Sequence, residues 1–168
     1  MPPLDPCYSF LSLPPRARNR IYELLLVRDK QFIIGKYTPS FRVDPTILRT
    51  CKQINNEAVP ILYSQNTFMI DHPDRALTWF TQIGKSNLSH LNNLRLFPDP
   101  VYDAGDREGW YQLLGRLALE AKGLTNLYIF WDAEGMHSES GKDVRFIRHL
   151  GRIRSLQNVE LDGYYAVK

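Results

Sequence analysis

His72, His90, His137 and His149, together with Cys7 and Cys51, are the side chains best suited to ligate a transition metal, and no two of them stand at the short spacings that a zinc site uses. No metal centre is expected. Ser138-Glu139-Ser140-Gly141-Lys142 shares a Gly-Lys step with phosphate-binding loops, but it lacks the earlier glycine and the Ser or Thr after the lysine, and no strand leads into it. It reads as a loop. Asp103, Asp106 and Glu108, near Gly105 and Gly109, offer oxygen ligands without the calcium-loop spacing or its closing glutamate, so they read as a solvated loop too. No Gly-x-Ser-x-Gly elbow occurs, and Cys51 lies on an apolar helical stripe, where a thiol is a core residue before it is a nucleophile. Trp79, Trp110 and Trp131 fall at helix or strand positions that packing explains. The residues therefore predict no catalytic group, no cofactor and no metal, and a protein that is not an enzyme.

At 168 residues, with 43% hydrophobic and 23% charged residues, the chain suits one compact unit with a packed core. It has no apolar run of about eighteen residues that would predict a membrane span. Met1 to Pro6 also lacks the basic-then-apolar profile of a secretory signal. An intracellular protein, cytoplasmic or nuclear, is expected, with reduced thiols and with Asn87-Leu88-Ser89 as structure rather than a glycosylation site. The net charge of +3 is concentrated early: nine Lys or Arg against four acids up to Ile54. These long side chains read as solvated helix faces. The alternative is a nucleic-acid-binding module in which Arg16, Arg20, Arg28, Lys30 and Lys36 contact phosphates.

The elements that must position these residues follow from periodicity. Pro14 and Pro15 suit a first helical turn, and Ala17, Ile21, Leu24 and Leu25 recur on one face of a helix ending near Val27, with Arg16, Arg18, Asn19, Arg20 and Glu23 facing away. Gln31 to Gly35 and Ser40 to Val43 read as a strand pair, an inserted β-hairpin. Asp44 caps a second helix with Ile47, Cys51, Ile54, Ala58 and Leu62 along its inner stripe, kinked or interrupted near Asn56 to Val59 by Pro60. Thr67 to Ile70 is strand-like.

Beyond it, Leu91 to Leu96, Leu124 to Ile129 and Leu156 to Leu161 share the pattern Leu-x-Asn-apolar-x-apolar at spacings of 33 and 32 residues. Each copy follows a helical pattern: Ala76, Leu77, Phe80 and Ile83; then Trp110, Leu113, Leu114, Leu117, Ala118 and Ala121; then Phe146, Ile147, Leu150 and Ile153. Helix and strand alternating at this period predict parallel strands joined by right-handed crossovers, a short solenoid similar to leucine-rich repeats. Strand alternation aims Leu94, Leu96, Leu127, Ile129, Val159 and Leu161 at the helices, and leaves Arg95, Phe97, Tyr128, Phe130, Glu160 and Asp162 on an open face suited to a partner. Asn93, Asn126 and Asn158 are expected to tie down the turn entering each strand. The fold class is thus α/β: N-terminal helices with an inserted hairpin (1–66), then a β/α parallel sheet (67–168), packed as one unit.

Phe10 to Val27 and Ile47 to Ile70 resemble the N-terminal module of fungal F-box-like proteins of unknown function. Their pattern runs roughly F-L-x-L-P-x-E-L-R-N-x-I-Y-x-L-L-L, then L-x-R-T-C-R-Q-I-Y-x-E-A-x-P-I-L-Y-x-x-N-T-F. Leu13, Pro14, Arg18, Asn19, Ile21, Tyr22, Leu24, Leu25, Leu48 to Cys51, Gln53, Ile54, Glu57, Ala58, Pro60 to Tyr63 and Asn66 to Phe68 match it. Arg16, Ala17 and Asn55 depart from it, and the inserted hairpin is no part of the usual F-box. The resemblance implies an F-box-like protein-interaction module: Leu13, Pro14, Ile21, Leu24 and Leu48 would dock on the Skp1 subunit of a ubiquitin ligase, while the repeat part recruits an unknown client.

Overall fold

The structure, a computed structural model, describes residues 9–34, 45–98, 104–130 and 144–162. Five helices and five strands alternate in order: α1 (Pro15–Leu26), β1 (Phe32–Ile34), α2 (Lys52–Gln65), β2 (Thr67–Ile70), α3 (Pro73–Leu88), β3 (Asn93–Leu96), α4 (Ala104–Glu120), β4 (Asn126–Phe130), α5 (Val144–Leu150) and β5 (Asn158–Asp162). The strands form one sheet in chain order, β1-β2-β3-β4-β5, and every neighbouring pair is parallel. The three repeat copies lie side by side in register, Asn93 against Asn126 against Asn158, as their spacing requires. The sheet begins earlier than the repeats do. Thr67 of β2 stands where the later strands carry asparagine, and β1 pairs with β2.

Parallel pairing forces a helical crossover between successive strands, and these helices bury one face of the sheet. Phe68, Ile70, Leu94, Leu96, Leu127 and Ile129 are buried from the strands, meeting Ala76 and Phe80 of α3, Leu113, Leu114 and Leu117 of α4, and Phe146 of α5. Trp79 joins this core beside Phe68, with ring centroids 5.1 Å apart, and Trp110 is buried in it. Ile147 is exposed, because the short α5 turns only Phe146, Leu150 and the nearby Ile153 inward. Val159 and Leu161 lie in register with buried residues of β4 yet remain 47% and 52% exposed, since the edge strand β5 has a neighbour on one side only among the described residues. Residues 104–109 belong to α4 rather than to a loop. Gly109 allows this helix to lie against α3, where a Cβ would come within 3.0 Å of the Pro73 ring. Gly84, at φ +78°, breaks α3 near its end, a backbone angle that favours glycine.

A second core joins α1 to α2: Tyr22 and Leu26 against Ile54, Ala58 and Ile61. This reverses the expected orientation of α1. The buried stripe is Arg18, Tyr22 and Leu26 at i, i+4 and i+8, whereas Leu24 and Leu25 are 63% and 43% exposed and Ala17 and Ile21 are half-buried. The stripe expected of α2 also changes. Residues 45–49 form a separate 3-10 turn, so Cys51 is the exposed N-cap, its Sγ accepting a hydrogen bond from the Ile54 N–H at 3.5 Å. Pro60 does not interrupt α2, which continues to Gln65; Val59, Ile61 and Tyr63 pack into the cores on either side of it. Asn66, fully buried, closes the module: its amide donates to the carbonyls of Leu26 (2.9 Å) and Leu62 (2.8 Å) and accepts from the Arg28 N–H (2.9 Å). The expected hairpin partner at 40–43 and the Asp44 cap lie outside the described residues.

Leu26→Ala should therefore cost about 2 to 5 kcal/mol in urea unfolding, as a large buried aliphatic does. Leu25→Ala on the neighbouring position should fall within about 0.5 kcal/mol. Equal losses would refute the orientation of α1.

Candidate functional site

Two surfaces carry the residues singled out in the sequence. The first is built on α1. Arg18 is buried because its charge is answered: Nε–H donates to Glu57 Oε2 at 2.8 Å and Nη2–H to Oε1 at 2.7 Å, a two-pronged carboxylate contact. Its remaining nitrogen, Nη1, donates to the Leu13 carbonyl at 2.6 Å and the Leu11 carbonyl at 3.3 Å. One guanidinium thus ties the Leu13-Pro14 entry of α1 to the middle of α2. Tyr22 O–H (3.0 Å) and Gln53 Nε2–H (3.0 Å) complete the donors around Glu57.

These bonds, the Arg18 one first and the Gln53 one second, hold the Glu57 carboxyl down to about 2 against the opposing effect of burial. Burial first, and the bond to Glu57 second, push the Tyr22 phenol up to about 12. With its inner stripe so fixed, α1 turns Leu24 and Leu25 outward, and Leu11 is exposed ahead of it. Of the expected docking residues, Pro14 and Leu24 are exposed and Leu13 and Ile21 half-exposed, whereas Leu48 packs against both cores. Arg16, Arg20, Arg28 and Lys30 are exposed, with Arg20 paired to Glu23 at 2.9 Å, and Lys36 lies outside the described residues.

The second surface is the face of the sheet away from the helices. Its first row is Thr67, Asn93, Asn126 and Asn158, and the asparagines do more than secure turns as expected, although Asn93 holds the Ser64 carbonyl ahead of β2 and Asn126 the Thr125 hydroxyl ahead of β4. They bond to one another across the strands: Asn158 Nδ2 donates to Asn126 Oδ1 at 2.7 Å, Asn126 Nδ2 to Asn93 Oδ1 at 2.8 Å, and Asn93 Nδ2 to the Ser64 carbonyl at 3.1 Å. Parallel, in-register pairing puts identical amides one strand apart, which is the spacing such a ladder needs. Backbone bonds hold the turns too, for example Thr125 N–H and Asn126 N–H on the Asn92 carbonyl.

The next rows hold the residues expected on this face. Arg95 lies 4.0 Å from the centre of the Tyr128 ring and donates to Gln31 Oε1 at 3.0 Å. Phe97 stacks on Phe130 with centroids 5.5 Å apart. Tyr128 O–H donates to Asp162 at 2.7 Å, a bond that raises the phenol above its usual range. Glu160 and Asp162 are exposed at the rim. Thr67, Asn93, Arg95, Asn126, Tyr128, Asn158 and Glu160 line an open groove of about 400 Å³ here. Sequence reasoning found its second and third rows by alternation and missed that the asparagines join them. The signal was present: in each copy the asparagine stands two residues before Arg95, Tyr128 or Glu160, hence on the same face.

Elsewhere, His72 precedes α3 as its cap and His149 stacks on Tyr111, with centroids 5.5 Å apart. His137, Cys7, Asp103, Trp131 and residues Ser138 to Lys142, expected as a loop, lie outside the described residues. No helix among the described residues is long and apolar enough to cross a membrane.

The Glu57 carboxyl titrates near 2 in the fold against 4.5 for the free group, so its contribution to stability is complete above about pH 4.5 and is lost as the pH falls through 2. Glu57→Gln should lower stability at neutral pH and flatten that acid limb in urea titrations between pH 5 and pH 2. Acid limbs of equal slope in the two proteins would contradict the network. Asn126→Ala should cost about 1 kcal/mol, the net worth of a partly exposed amide contact.

No curated protein and no solved structure matches this chain. A sequence model of one family does, over residues 35–131, a span that holds α2, β2, α3, β3, α4 and β4 whole. The chain belongs to that family, described as Domain of unknown function (DUF7730).

Proposed function

We propose that this protein is a non-enzymatic protein-interaction adaptor that docks through the outer ridge of α1 and offers the open face of its sheet to a client. The observation that carries this reading is the exposure of Leu24 and Leu25 on a helix whose other side is locked by Arg18 and Glu57. A helix that leaves large aliphatic side chains in water while burying an arginine forgoes stability for a surface, and apolar ridges on rigid elements are what protein interfaces use. The resemblance of Phe10 to Val27 to F-box-like modules supplies the sharp form of the proposal, in which the ridge meets Skp1 and the protein recruits substrates to a ubiquitin ligase. The half-exposed Leu13 and Ile21 and the exposed Pro14 border the same ridge.

Purified chain mixed with Skp1 at micromolar concentration should co-elute on size exclusion. Leu24→Asp should weaken the complex about tenfold or more, as loss of a central apolar anchor does, and leave the thermal midpoint unchanged. Absence of any complex removes the ligase role.

A further inference from the structure

We infer that the groove on the open sheet face reads a single acidic side chain of a client protein, with Arg95 as the reading group. This inference takes the adaptor reading as given for the identity of the ligand as a protein. Three described arginines are buried or half-buried: Arg18, Arg95 and Arg116. Two of them face a carboxylate, Glu57 at 2.7 Å and Glu120 at 3.3 Å. Arg95 has none among the described residues. Its contacts are the neutral Gln31 amide, the hydroxyl of Tyr128, which itself donates to Asp162, and the faces of the Tyr128 and Phe97 rings, at 4.0 and 5.8 Å, and its Nε is shielded from water without an acceptor.

A half-buried guanidinium has already lost part of its hydration and its rotamer freedom, so a carboxylate arriving there meets a charge that is desolvated and oriented in advance. Arg95 sits on the third of five strands, held on both sides, so its position is stiff. The groove is open and of a size to admit a side chain, and its other polar lining groups near Arg95 are the hydroxyls of Thr67 and Tyr128 and amides, which can accept or donate without adding charge. Among the described residues Glu160 is the one acid that lines it, two strands from Arg95, roughly 10 Å across the sheet. That charge repels a dianion or a run of acids on the β5 side and selects one carboxylate flanked by neutral or basic residues.

The test uses the full chain, labelled with ¹⁵N, and the capped peptides acetyl-Gly-Leu-Asp-Leu-Gly-amide, its Asn counterpart and its phosphoserine counterpart. The Asp peptide should shift the Arg95 Nε–H and the side-chain amides of Asn126 and Asn158 saturably. The Asn peptide should bind about fivefold more weakly, the size of one partly exposed ion pair. Arg95→Gln should erase the difference between the two, and Glu160→Gln should tighten the Asp peptide. Equal binding of the Asp and Asn peptides overturns the inference, as does tighter binding of the phosphoserine peptide. If Arg95→Gln does not fold, Glu160→Gln on the exposed rim decides: no gain in affinity for the Asp peptide overturns it. A Skp1 complex measured on the same preparation separates the two readings, since it can persist while peptide discrimination is lost.

Discussion

The constraint on which this molecule depends is that all five strands run the same way. A parallel sheet cannot be closed by short hairpins, so each strand must be followed by a crossover, and the helices in those crossovers cover one face. The chain spends its aliphatic residues on that face: Leu94, Leu96, Leu127 and Ile129 are essentially inaccessible. The opposite face receives no helix among the described residues, and amides, aromatic rings, Arg95 and the rim acids Glu160 and Asp162 occupy it. Direction of the strands thus divides the protein into a side that holds it together and a side that is available.

The N-terminal module solves a different problem, how to fix one helix on another with few residues. Five apolar side chains make its core, and that is a small area from which to expect a unique orientation. The Arg18 guanidinium and Glu57 carboxylate supply the orientation, since a two-pronged contact is satisfied at one rotation of α1 only. Asn66 does the same at the far end, accepting from and donating to the end of α1 while donating also to Leu62 of α2. Polar groups inside this module therefore specify geometry, and the apolar residues they displace outward form its exposed ridge.

Much of the sheet was legible from the sequence, because three copies of Leu-x-Asn-apolar-x-apolar at nearly equal spacing admit few arrangements. Two strands were less so: β2 carries Thr67 in place of the asparagine, and β1 has only three residues to show. The orientation of α1 was read backwards for a physical reason. Periodicity weighs Leu24 and Leu25 as interior and Arg18 as exterior, and it does not register a carboxylate 39 residues away that makes burial of the arginine tolerable. The residues that the structure joins there are Arg18, Tyr22, Gln53 and Glu57, which stand far apart in the sequence. Cys51 was misplaced because a 3-10 turn shifts the helical count by a residue or more.

The turns that enter β3, β4 and β5 rest on each other. Gly123 N–H meets the Ser89 carbonyl at 3.0 Å, with no room for a Cβ between them, and Gln157 N–H meets the Thr125 carbonyl at 2.9 Å. Each turn is a tread laid on the tread below, so a residue added within one would lift every step above it. Growth or shrinkage of such a staircase over evolutionary time must then proceed by whole units of helix and strand, and changes of length within a unit must be absorbed at the opposite ends of the strands.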